Sequence, residues 1–152
     1  MLRLGCLLLT AWTALNLAAS AMILIDTLWL GGHTPALHAV LSPEAVAALE
    51  PQVLLTVDSI AVFANGMNAA FSIIALVVVW RGLHRARAKW AYWGLLAGFT
   101  AAVIAGVAAD SVVGWAAPQV NVISAGILAA GFAFAGYGLF GARAPLQSRR
   151  KH

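Results

Sequence analysis

The sequence predicts an all-α membrane protein: a four-helix transmembrane bundle threaded up, down, up, down, with a short outer-surface helix in its first loop. Three observations predict it. Of 152 residues, 62% are hydrophobic and only 9% are charged, and the mean hydropathy is +0.90. Soluble domains average about 25% charged residues, so this apolar surface exceeds what one small soluble core can bury. Four apolar stretches, at 4–30, 52–80, 90–115 and 119–140, each reach the roughly 20 residues that carry a helix across a bilayer. The nine basic residues cluster at alternate ends of those stretches. The chain therefore reads as one integral membrane domain over 1–152, closed by a basic tail at 141–152.

Taken in order, the first stretch follows Arg3 and ends at Gly31 and Gly32, which break a helix. Ala19-Ser20-Ala21 also fits a signal-peptide cleavage site. Against cleavage of 1–21, the apolar run continues from Leu4 to Leu30, well beyond a signal core of about 7–15 residues. In the loop at 31–51, Ser42-Pro43-Glu44 combines an N-cap, a helix-start proline and a first-turn acid, so a short helix follows over Ala45 to Leu49. Pro51 and Pro118 sit as helix-start prolines before the second and fourth spans.

Charge gives the orientation. Arg3, the group Arg81, Arg85, Arg87 and Lys89, and the group Arg143, Arg149, Arg150 and Lys151 occupy the N-terminus, the middle loop and the C-terminus. Cytoplasmic loops retain Lys and Arg, so both termini and the middle loop face the cytoplasm, as in a bacterial inner membrane, with the basic clusters against anionic lipid headgroups. The five acids, Asp26, Glu44, Glu50, Asp58 and Asp110, fall on or near the other side. The pI near 10.0 thus reflects membrane topology and not nucleic-acid binding. Trp29 and Trp115 at one border, and Trp80, Trp90 and Trp93 at the other, form the expected aromatic belts, whereas Trp12 lies inside the first span.

Polar residues inside a bilayer are costly and should point into the bundle. At about 100° per residue, Thr13, Asn16, Ser20 and Thr27 share a stripe on the first span. Asp58, Asn65 and Ser72 share one on the second, with Asn68 close by, and Asn121, Ser124 and Gly131 one on the fourth. Asp26, Asp58 and Asp110 all lie in the outer third of the membrane, and no Lys or Arg within a span neutralises them. They must be protonated, share hydrogens with one another and with Asn65, Asn68 and Asn121, or hold a cation. The plainer reading places them in the wet headgroup zone, with each amide simply bonding across to a neighbouring helix. Asp58 is the strongest ligand- or proton-binding candidate, followed by Asp110, Asn65, Asn68, Asn121 and Asp26.

His33 and His38 share the outer loop and are weak candidates for a metal, and no other metal set is evident. Cys6 is the single cysteine, which excludes an internal disulfide, a redox pair and a cysteine-based metal centre. No cofactor is identifiable. Gly94, Gly98, Ala102 and Gly106 recur every four residues on the third span, and Ala125, Ala129 and Ala133 on the fourth, as ridges for close helix packing.

Ala64-Asn65-Gly66-Met67-Asn68 heading a long apolar helix, Val79-Trp80-Arg81-Gly82, Trp90-Ala91-Tyr92-Trp93, and Asp110 with Gly114 together resemble a pattern in small four-span bacterial inner-membrane proteins, some described as DoxX-like. The resemblance covers residues 60–115 and implies a four-helix integral membrane protein. It transfers no activity and no catalytic residue.

Three functions follow as expectations. The first is a bundle that binds or conducts a small ligand, proton or cation through an outer-side acidic and amide pocket. The second is an accessory subunit, docked by its small-residue ridges on a larger membrane complex or on copies of itself. The third is a membrane-embedded lipid-modifying enzyme, which ranks last because no nucleophile or metal set accompanies the carboxylates.

Overall fold

A computed structural model of the chain describes residues 1–112 and 118–141; the basic tail and the 113–117 connection, with Gly114, Trp115, Arg143, Arg149, Arg150 and Lys151, lie outside the described residues. All regular structure among the described residues is helical. Helix α1 (Leu2–Ile25) continues as a π-helical turn, Asp26–Leu30, and stops at Gly31, whose φ of 72° is the left-handed cap that glycine adopts without penalty. Two short helices follow, α2 (Pro35–Val40) and α3 (Pro43–Ala47). Helix α4 (Pro51–Val77) runs on as a π-helix over Val78–Arg85, and α5 (Lys89–Val112) and α6 (Pro118–Phe140) are the last helices among the described residues. Leu2–Leu30, Pro51–Arg85, Lys89–Val112 and Asn121–Phe140 are long and apolar enough to cross a bilayer. The protein is an integral membrane protein built as an all-α bundle.

Two borders differ from the sequence expectation. The second spanning helix does not end at 80 but carries through Arg81 and Arg85, leaving only residues 86–88 to turn the chain, with Arg87 at φ 48°. Exposed arginines can extend from a helix end into the headgroup zone, so charge there does not stop a helix. The first loop holds two helices and not one, because Thr34-Pro35 starts a second helix with the same cap-and-proline grammar as Ser42-Pro43.

At α3 the Ser42 hydroxyl accepts the Ala45 N–H at 3.3 Å. The Glu44 backbone N–H, and then the Ser42 hydroxyl, hold the Glu44 carboxyl below its usual range. This stabilisation is present above the ordinary carboxylate pKa and fades as pH falls through the lowered one. Ser42→Ala should therefore raise hydrogen exchange at the Ala45 amide about 5-fold, the equivalent of a lost N-cap. Unchanged exchange would show that the cap is idle.

Helix α1 is the hub, packing against both α4 and α6, while α5 packs on α6 and on the π-helical end of α4. Lipid tails are as apolar as leucine, so these contacts rest on close fit and not on expulsion of water. The closest fit joins α1 to α6. A Cβ on Gly5 would overlap the backbone of Gly131 and Ala135, at 2.7 Å from the Gly131 oxygen. A Cβ on Gly138 would overlap the backbone of Leu2, and one on Gly131 would stand 3.0 Å from Leu9. Leu2, Gly5 and Leu9 thus run antiparallel to Gly138, Ala135 and Gly131, each set on one helical face.

The buried apolar core occupies the half of the bundle that carries Arg3, Arg81, Arg85 and Lys89, here called the basic end. Leu2, Cys6, Leu9, Ala75, Val79, Leu83, Ala91, Leu95, Leu128, Phe132 and Ala135 fill it. Tyr92 closes it, donating its hydroxyl to the Phe132 carbonyl at 3.3 Å. An aromatic layer lies above: Phe99 is edge-on to Trp12 at 5.1 Å and to Phe71 at 5.4 Å. Beyond that layer, toward the loop end, Ser20 and Thr34 are buried together with Leu37 and Val46.

Candidate functional site

Above the aromatic layer all four spanning helices surround a chamber of about 200 Å³. Trp12 and Asn16 come from α1, Asn68 from α4, Ala102, Val103 and Gly106 from α5, and Asn121 and Ser124 from α6. Each asparagine is held by its nitrogen. Asn16 Nδ2 donates to the Trp12 carbonyl at 3.0 Å, Asn68 Nδ2 to Ser20 Oγ at 2.8 Å, and Asn121 Nδ2 to Asp110 Oδ2. These bonds engage only the nitrogens, so the three Oδ1 acceptors make no bond among the described residues. The indole nitrogen of Trp12 is buried and, like the hydroxyls of Thr10, Thr27 and Ser72, has no partner among the described residues. The unspent amide oxygens, with Ser124 also in the lining, mark a place where a further molecule would find hydrogen-bond partners.

The small residues of α5 create this space. Gly106 leaves room for the Asn121 carbonyl, which a Cβ would meet at 3.3 Å, and Gly98 leaves room for the Phe71 ring at 3.1 Å. Ala102 lines the chamber between them. Gly94 faces open space. The ridge expected to bring backbones together on the third span instead admits side chains and a cavity, and close backbone approach belongs to Gly5, Gly131 and Gly138.

The three membrane aspartates have three different partners. Asp58 faces the first loop: its Oδ2 stands 2.8 Å from His33 Nδ1, and its Oδ1 accepts the Thr34 N–H at 3.0 Å. An ionised carboxylate only accepts, so with Asp58 in that form the hydrogen of the bond sits on His33 Nδ1. The Asp58 side chain is 17% exposed and Thr34 is buried, so this is a strap that seats the loop on the bundle. Asp110 bonds Asn121 and so fixes one wall of the chamber from outside it. The Asp26 carboxyl folds over Gly32, with its Cγ 2.6 Å from where a Cβ would stand.

Of the residues expected at the site, Asn68 and Asn121 line the chamber and Asp110 supports it. Asn65 turns back on its own helix, donating to the Ala61 carbonyl at 2.9 Å. Asp58 and Asp26 are not among the lining residues. Among the described residues no three His, Cys, Asp or Glu come together as a possible metal-binding group, and His38 is exposed. Sequence reasoning did not place Trp12 at the site, although its position within a span set it apart from the border tryptophans.

Next to the chamber runs an apolar groove of about 260 Å³ between α5 and α6, lined by Leu96, Phe99, Thr100, Ile104, Ala125, Leu128, Ala129 and Phe132 together with Val103. Val103 lines both spaces. Comparison with family models, curated proteins and solved structures finds no match for the chain. The geometry alone carries the functional reading.

Proposed function

We propose that this protein binds a small, uncharged, hydrogen-bonding molecule inside the membrane, in the chamber between its four spanning helices. The free oxygens of Asn16, Asn68 and Asn121 around one chamber carry the reading. With the Ser124 hydroxyl in the same lining they offer a donor and acceptors without net charge, which suits a neutral head with a carbonyl and an N–H or O–H. A cavity of about 150 Å³ accepts benzene, so the chamber is large enough for a head of that size. Cation or proton conduction draws less support, because Asp58 is occupied by the loop and Asp110 by Asn121. Docking as an accessory subunit through Gly98, Ala102 and Gly106 draws less as well, since these residues serve the chamber and Phe71. We place the protein in a bacterial inner membrane with its basic end cytoplasmic and against anionic lipid headgroups.

Propanamide, which presents one carbonyl and one amino group, is a suitable probe. Replacing Trp29, Trp80, Trp90, Trp93 and Trp115 with phenylalanine leaves Trp12 as the sole indole. In nanodiscs, propanamide should shift Trp12 emission saturably, and Ala102→Leu, which fills the chamber, should abolish the shift. Equal, non-saturating responses in both proteins would sink the reading.

A further inference from the structure

We infer that the molecule bound in the chamber is an amphiphile: its neutral head occupies the chamber, its single apolar chain lies in the groove between α5 and α6, and it enters sideways from the bilayer. The inference rests on the chamber being a binding site and adds the class of ligand and its route.

Four features point the same way. The two spaces adjoin, because Val103 lines both and Trp12 of the chamber packs edge-on against Phe99 of the groove. Their linings differ in polarity: the chamber has three asparagines, a serine and an indole beside Ala102, Val103 and Gly106, whereas the groove has leucine, valine, isoleucine, phenylalanine and alanine with one threonine. The groove opens on the flank of the bundle between α5 and α6, where Ile104 lines it and is largely exposed. Ala125 and Ala129, on successive turns of α6, keep it open by leaving out atoms that a leucine would supply. A chain lying there would leave the bilayer interior without crossing water, since lipid and groove are equally apolar. The head would meanwhile exchange hydrocarbon surroundings for hydrogen bonds, which favours the bound position.

Dodecanamide carries the head of propanamide on an eleven-carbon chain, about long enough for the groove, and dodecane carries a chain without the head. With Trp12 as the sole indole and equal amounts of lipid in each nanodisc, dodecanamide should shift Trp12 emission saturably, and excess dodecane should not displace it. Ala129→Phe, which blocks the groove outside the chamber, should weaken dodecanamide at least tenfold and leave propanamide unchanged. Ala125→Leu provides a second, smaller block, and an unchanged melting curve confirms that each variant folds. If propanamide binds but neither block weakens dodecanamide, the chain lies elsewhere and the inference is overturned while the chamber stands. If dodecane competes as well as dodecanamide, the groove takes any lipid chain and the inference is equally overturned. If neither amide perturbs Trp12, the chamber reading itself has failed.

Discussion

Gly5→Ala should destabilise the bundle by about 3 kcal/mol, at the upper end of what one added methyl does in a packed core. The obstacle is backbone. The new Cβ would meet the Gly131 oxygen at 2.7 Å and the Ala135 Cα at 2.8 Å, and neither is the end of a side chain that can rotate away. Helices α1 and α6 must separate, and the packing between Leu9 and Gly131 loosens with them. Because α1 also supports α4, the loss spreads beyond one helix pair. Gly138→Ala should behave alike, since its Cβ would overlap the Leu2 backbone. Gly94→Ala and Gly126→Ala add the same methyl where nothing stands within 4 Å. They should be neutral or gain about 0.5–1 kcal/mol by removing a flexible residue from a helix. Detergent-titrated unfolding of the four variants checks the contrast, and equal midpoints for Gly5→Ala and Gly94→Ala would refute the assigned helix contact.

The contrast between Gly5 and Gly94 also shows what the chain discloses before it folds. The four spans are legible because a bilayer imposes a length and a polarity that few sequences satisfy by chance. Their ends are less so, since Arg81 and Arg85 can sit on the last turns of a helix as readily as in a loop. Small residues are ambiguous for a physical reason: a missing side chain is needed both where backbones touch and where a cavity opens. Gly98, Ala102 and Gly106 have the periodicity of a packing ridge, yet Ala102 and Gly106 line a space and Gly98 admits the Phe71 ring, whereas Gly5, an isolated glycine in a leucine-rich turn, makes the closest contact. The amide stripes point inward legibly, because asparagine in hydrocarbon has nowhere better to turn. Their pairing is not legible. Asn68 finds Ser20 on another helix, while Asn65, three residues away, finds its own backbone. Asp58 shows the same limit, as its partners, His33 and Thr34, lie across a loop whose course no local pattern dictates.

Asp58→Ala should release that loop. The carboxylate receives the Thr34 N–H on one oxygen and faces His33 on the other, and Thr34 and Leu37 are buried beneath the loop they anchor. Alanine leaves the Thr34 N–H without an acceptor. An unsatisfied buried donor costs about 1–3 kcal/mol, so hydrogen exchange at the Thr34 amide should quicken roughly 5- to 150-fold while the spanning helices keep their protection. Asp58→Asn separates geometry from charge. Its Oδ1 still accepts from Thr34, and its amino group can donate to a neutral His33 whose hydrogen has moved to Nε2. Exchange at Thr34 should then stay within a few-fold of the unaltered protein. His33→Ala should give an intermediate rate, because it removes one partner and leaves the backbone bond. A strap that works by hydrogen bonding thus orders the variants alanine at 58, alanine at 33, asparagine at 58, from fastest to slowest exchange. If Asp58 served instead as a proton-binding carboxylate at a ligand site, Asp58→Asn would match Asp58→Ala in abolishing propanamide binding while exchange at Thr34 stayed slow in both. The placement of Asp58 against the loop and away from the chamber predicts the opposite on each count.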